Sequence, residues 1–503
     1  MGLFVVLRYS NVLITSFLEM RKFMEKLKRI TLSPAKCGLD LGDGSERAEY
    51  VNQDYILNVL GRPHRNIGIM YTYYPKDKEW PQRISEACKD MEIHFQWDYP
   101  YDDYFPYLGG IGGSMDGEPF TFMRDIRRHG QDVALTLTID CSLEDEYLRQ
   151  IAKELRTFGR MRLRINHECT GDWFTHNQRF SYQEIGDFFV RFAKIVKEEA
   201  PNVSIVYCGG SVTSLEDDAP IQYEKEFTEA FKVADYWSND CYLALHYGWP
   251  FDVCEKGGNS YAVTPLDTFV ERLEKTSKRL TKVADNICKP LVISEFNTDG
   301  DVTGPRRQGD SIKKFVDRIK SDDADWFDGF SMYQFRDRGR LGLEIEDPNN
   351  KSVGIAQPLL KQYKEILKDP YFQPVIDEKE QVELPAKMRW GGSEDADGVA
   401  IDIKMEGNPE FFEINFEEDL NIMMEINGRW FYKAPETKTV DLMPAFFEEE
   451  VKTGQVLTLK MFAPPATGEN DESQGDDWAV NYYTEMKKMP QLRIRYEAVE
   501  ELD

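Results

Sequence analysis

Two glutamates, Glu168 and Glu295, each stand at or near the end of a short apolar run, MRLRINHE (161–168) and PLVISEF (290–296). Such runs read as buried strands. A carboxylate at the end of one must meet solvent, a partner or a substrate, because the core gives it no solvation. Two carboxyls so placed can cleave a glycosidic bond. One protonates the leaving oxygen, the second attacks the anomeric carbon, and the first then returns as base to activate water. Retention of configuration needs carboxyls about 5–5.5 Å apart, and inversion needs a wider gap. Mutual repulsion raises one pKa, which keeps the acid protonated near neutrality. The competing reading is a structural pair held in salt bridges at one end of the fold.

The elements that position this pair are a series of short apolar runs separated by amphipathic ones. The runs lie at 66–74, 93–100, 132–140, 161–168, 203–210, 235–243, 290–296 and 327–335. Ile185, Phe188, Phe189, Phe192, Ile195 and Val196 recur at helical spacing after Ser181, a capping residue type. Strands joined by helices pair in parallel. Eight such units predict a (β/α)8 barrel, with Glu168 ending strand four and Glu295 on strand seven. A doubly wound sheet would show a Gly-rich phosphate turn after its first strand. Here YTYYPKDKEW follows instead, and GGIGGSMDG (109–117) reads as a loop over the barrel mouth. No cofactor is expected.

The expected organisation is an N-terminal leader and capping segment over 1–60, a catalytic barrel over 61–370 and a linker over 371–385. An antiparallel β-sandwich over 386–503 completes it. The sandwich is read from period-two runs such as VAIDIKM and EFFEINF, and from Asn427-Gly428, a hairpin signal between two of them. Trp390, Trp430 and Tyr432 either line a sugar face there or buttress the barrel. GENDESQGDD (468–477) reads as an acidic loop.

A chain of 503 residues exceeds one ordinary core. The net charge of −27 repels phosphate backbones, so nucleic acid is not an expected partner. Aromatic content of 13% suits either packing or sugar stacking. None of the eight cysteines forms a CxxC pair, and buried free thiols favour a reducing compartment, the cytoplasm, with secretion as the alternative. The apolar run over the first eighteen residues is broken by Arg8 and is short for a membrane span, so no membrane association is expected. Zinc at His167, Glu168 and His176 would need a spacing other than HExxH, and no metal is expected.

The string Arg164-Ile165-Asn166-His167-Glu168-Cys169-Thr170-Gly171-Asp172-Trp173-Phe174 resembles the acid/base signature of glycoside hydrolase family 26. Ile293-Ser294-Glu295-Phe296 resembles that family's nucleophile strand, and Asp240-Cys241-Tyr242 its sixth-strand Asp-x-Tyr. The resemblance covers roughly residues 66–365. It implies a clan A retaining glycosidase, of that family or a neighbouring one, acting on β-mannan or on another β-glycan such as mixed-linkage glucan or xylan. It further implies that His167 bonds near the −1 sugar, that Trp173 stacks beside the acid/base, and that Tyr242 holds the nucleophile. Arg164 would support the carboxylate, with Asp240 beside it. The family places a Trp at the end of strand eight, where Phe335 is the expected substitute. Trp97, Asn166 and Gln334 are further candidate sugar contacts, and Asn297 could contact sugar hydroxyls. A sugar-binding barrel without catalysis is the alternative from a different functional class.

Overall fold

The computed structural model describes residues 27–33, 35, 38–42, 50–79, 105–171, 179–247, 253–254, 260–322, 324–337, 339–389, 396–463 and 484–499. Eight parallel strands close into a barrel. In chain order they are Gly38–Gly42, Asn66–Tyr73, Asp132–Ile139, Met161–Ile165, Val203–Cys208, Tyr236–Asp240, Leu291–Phe296 and Phe327–Met332. The first strand pairs with both the eighth and the second, which completes the ring. The (β/α)8 expectation is therefore met, with one correction to its start.

The first barrel strand is Gly38–Gly42, inside the segment expected to cap the barrel. The run at 93–100 lies outside the described residues. The second and third barrel strands pair directly, from Asn66–Asp132 to Tyr73–Ile139. The short sequence GLDLG carries little apolar signal, and its glycine has a steric reason. A Cβ on Gly38 would collide with the guanidinium of Arg65. That guanidinium bridges Asp40 and Asp328 at the base of the barrel, at 2.7 Å from each. Counted from Gly38–Gly42, Glu168 follows strand four and Glu295 lies on strand seven.

Alternation along the strands sorts the barrel into two faces. Leu135, Leu163, Ile205, Ile293 and Phe330 belong to the core packed under the helices. Met70, Thr136, Arg164, Val206 and Ser294 line a small axial cavity. Tyr182–Glu199 is one of the surrounding helices, started by a capping box between Ser181 and Glu184. Its face of Ile185, Phe188, Phe189 and Phe192 packs into the same core. No helix among the described residues is long and apolar enough to cross a membrane.

Outside the barrel lies a six-stranded antiparallel sheet facing a three-stranded one. Val399, Ile401, Met424, Leu459 and Met461 of the larger sheet meet Phe412, Ile414 and Leu492 of the smaller in one apolar core. Asn427 and Gly428 both have positive φ and form the expected hairpin turn. Two segments expected elsewhere belong to this sheet. Lys28–Ser33 is placed between Val375–Gln381 and Ala396–Lys404, antiparallel to both. The stretch expected as a linker is thus partly an edge strand, and its charges suit an exposed sheet edge.

The reverse face of the large sheet packs on the barrel. Ala400, Met423, Trp430 and Phe462 enclose Leu57 of the helix Gln53–Leu60. The Trp430 amide donates to Gly61 at 2.8 Å, and the Tyr432 ring lies 4.0 Å from that of His129. Trp430 and Tyr432 are therefore placed as buttresses against the barrel. Trp390 and the 468–477 segment lie outside the described residues.

Candidate active site

Arg164 is the hub of the barrel mouth. It comes from the inward face of strand four, and its Nε donates to Thr136 on strand three at 2.6 Å. Its Nη1 donates to both oxygens of Asp240, at 2.7 and 2.9 Å, and its Nη2 to Glu295 Oε1 at 3.0 Å. The neighbouring His167 places Nε2 3.1 Å from the same Glu295 oxygen and 3.4 Å from Asp240. Tyr242, two residues past strand six, donates its hydroxyl to Glu295 Oε2 at 2.9 Å.

Glu295 reaches this position through an irregularity in its strand. Alternation from Val292 and Ser294 would turn Glu295 outward, toward the helices. The pairing with strand six shifts between Ile293 and Glu295, so that Glu295 stands beside Asp240. Such a bulge re-aims a side chain, here into the mouth.

Five ionisable groups share this space, and their protonation follows from the contacts. Burial alone would raise the Glu295 pKa, but the His167 and Arg164 charges override it and hold the carboxyl well below the usual range. For His167, burial and the Arg164 charge push down, yet Glu295 and Asp240 lift it to about 10. Burial pushes Asp240 up, Arg164 draws it back, and the Glu295 charge adds to the rise. The site thus presents an ionised Glu295 beside a cationic His167.

Glu168 lies in a tight turn after strand four, with φ of 41° and its carbonyl accepting from Gly171 at 2.7 Å. It is half-buried. One carboxylate oxygen lies within 4.8 Å of a ligand atom of both Asp240 and His167. That trio has the residue types of a metal site. Arg164, however, already donates to both Asp240 oxygens. His176 lies outside the described residues.

Four sequence candidates take other positions. Phe335 is fully buried with its ring edge-on to Tyr55, 6.0 Å between centroids, so it does not floor the mouth. Tyr333 takes that place. It borders the axial cavity with Glu295 and Arg164, and its ring is edge-on to Tyr242 at 6.1 Å. The inward alternation of Ser331 and Tyr333 was the sequence signal for it. Asn166 is turned into the wall, where its Oδ1 accepts from the Ile139 amide at 3.0 Å and ties strand three to strand four. Gln334 borders the axial cavity but is buried, donating to Asp337 at 3.2 Å. Asn297 is likewise buried and donates to the Tyr333 carbonyl at 2.5 Å. Trp97 and Trp173 lie outside the described residues.

Two cavities border residues of the site. The axial one, about 60 Å³, reaches Glu295 and Tyr333 from below and holds a few waters rather than a sugar. The other, about 350 Å³, borders Glu168, Asp240 and Tyr242.

Neither a protein-family model nor a curated protein matches the sequence. Among solved structures, the chain is similar to a modular endo-β-1,4-mannanase of glycoside hydrolase family 26 from Cellulomonas fimi, at 13% identity and TM-score 0.40 over 85% of this chain and 89% of that one. It is similar to an α-L-arabinofuranosidase from Thermotoga maritima, at 12% identity and TM-score 0.40 over 88% and 98%. It is also similar to a glucosidase from Croceicoccus marinus, at 8% identity and TM-score 0.43 over 86% and 96%. At this identity and overlap the likeness says nothing of substrate, which must come from the site's own residues.

Proposed function

We propose that this chain is a retaining glycoside hydrolase that cleaves β-linked oligo- or polysaccharides, with β-mannan or manno- and gluco-oligosaccharides as the favoured substrates. Glu295 is the nucleophile and Glu168 the general acid/base. The observation that carries the reading is the state of Glu295. It is a buried carboxylate with Arg164 and His167 at one oxygen and a tyrosine hydroxyl donating to the other. A carboxylate anchored in this way is preorganised to attack.

In the first step Glu295 Oε2 bonds to the anomeric carbon while the glycosidic bond breaks and the leaving oxygen takes the Glu168 proton. In the second, Glu168 removes a proton from water, water attacks the anomeric carbon, and the bond to Glu295 breaks. Arg164 and His167 stabilise Glu295 as leaving group in that step. Tyr333 offers an apolar ring beneath the sugar. The described cysteines stand as free thiols, and we place the enzyme in a reducing compartment on that ground.

The test is hydrolysis of a panel of β-1,4-mannan, mixed-linkage glucan, xylan and their oligosaccharides, with the first-formed anomer followed by NMR. The β-anomer is expected, with Glu295→Gln inactive on the same substrate. Release of the α-anomer first, or a fully active Glu295→Gln, overturns the proposal.

A further inference from the structure

The larger cavity has a side. It borders Glu168 but not Glu295, whereas Glu295 and Tyr333 border the axial cavity. Its walls come from the ends of strands five and six, the hairpin of Ala244–His246 and Tyr261–Val263, and the helix Leu266–Val283. On the glycosidase reading above, the anomeric carbon lies at Glu295 and the breaking C–O bond points to Glu168. Whatever lies beyond Glu168 is then the leaving group.

We propose that this cavity is the leaving-group subsite and that it seats a single hydroxyl-bearing sugar unit. Its volume of about 350 Å³ is near the small end of ligand pockets, roughly 300–1,000 Å³, which suits one ring better than a chain. Its walls match the two characters of a sugar ring. Leu245, Ala262 and Phe269 give an apolar side, and Ser211, Gln222 and Asn239 give hydrogen-bonding groups.

Two local features show how the polar side is built. A Cβ on Gly210 would lie 2.6 Å from the Gln222 side chain, so glycine there lets Gln222 fold over the cavity. Asn239 is 4% exposed, and its Nδ2 is held by the Gly209 carbonyl at 2.7 Å. Its Oδ1 finds no partner among the described residues. A seated hydroxyl supplies the missing donor.

The test compares two leaving groups on one glycone. β-Mannobiosyl fluoride carries a single atom past the scissile bond, and β-1,4-mannotriose carries a sugar. Cellobiosyl fluoride and cellotriose form the matching glucan pair. Ala262→Trp, which fills the cavity, should lower kcat/KM on the trisaccharide relative to the fluoride by about tenfold or more. Gln222→Ala, a change at an exposed position, should shift the same ratio by about threefold or more. Ratios within twofold of wild type for both variants overturn the subsite. If the unaltered protein turns over neither member of either pair nor any glycan of the wider panel, the glycosidase reading falls instead, and the two failures are distinguishable.

Discussion

Tyr242 follows strand six by two residues and Glu295 lies on the adjacent strand seven, and the hydroxyl of the first donates to Oε2 of the second at 2.9 Å. Arg164 and His167 both engage Oε1. The less encumbered oxygen is therefore oriented by a neutral donor, which leaves it more nucleophilic than one paired with a cation. Tyr242→Phe should lower kcat with little change in fold stability. A hydrogen bond to a charged group contributes about 1.5–3 kcal/mol, roughly 10- to 150-fold in rate. Steady-state kinetics on an aryl β-glycoside, beside a thermal melt, checks this. An unchanged kcat would mean that the bond does not act in the transition state.

Glu168→Ala should discriminate between leaving groups. Loss of the general acid should cost about 10²- to 10⁴-fold on an unactivated glycoside and far less on a dinitrophenyl glycoside, whose leaving group needs no proton. Equal losses on both would assign Glu168 another role.

The pH dependence follows from two opposite shifts. His167 has its pKa raised to about 10 from an ordinary 6.5. Its contribution to stability is therefore fully present below 6.5 and is lost as pH rises through 10. The melting-temperature gap between the wild type and His167→Gln should be widest near pH 6 and close toward pH 10. Glu295 has its pKa lowered, so its contribution is present above its unfolded value of 4.5 and lost only as pH falls through the depressed one. A protonation step at pH 4–5 abolishing activity in kcat/KM would contradict Glu295 as the ionised nucleophile.

Arg164→Met should destabilise the barrel by about 3–5 kcal/mol, because removal of one partner leaves Asp240 and Glu295 buried with less compensation. Urea denaturation measures the loss. A variant as stable as wild type would show that the two carboxylates share a proton in its absence.

Much of this site was legible in the sequence, and the gaps have physical causes. Arg164, His167, Glu168, Asp240 and Tyr242 converge as their short motifs implied. Phe335 misled because strand eight ends at Met332. Tyr333 still follows the inward alternation of Ser331, but beyond it the chain turns and Phe335 packs into the core. Asn166 sits at a strand end with φ of 54°, and no spacing rule says which way such a residue points. Glu295 is the reverse case, since alternation alone sends it outward and only the bulge brings it in. The strand Gly38–Gly42 was invisible because glycine and aspartate at the barrel base replace the apolar signal that a buried parallel strand usually carries.

Trp430 separates the two readings of the accessory sheet. Trp430→Ala should destabilise the whole chain by about 3–5 kcal/mol, the usual loss for a buried large aromatic. It should leave retention on a mannan or glucan affinity gel unchanged in the folded fraction. Loss of polymer retention without loss of stability would restore a sugar-binding role.

The placement of Lys28–Ser33 between Val375–Gln381 and Ala396–Lys404 has a consequence for how such a chain is made and divided. The accessory unit is discontinuous in sequence. On the ribosome its early strand emerges some 350 residues before either neighbour, so it must wait, unpaired, until the barrel has been synthesised. Contacts of such separation form late in folding. No single cut frees the barrel from its buttress, because a truncation before Ala396 strips one edge of Lys28–Ser33 and leaves it an aggregation-prone template. By the same topology, this accessory unit is not a cassette that simple end-to-end fusion could exchange.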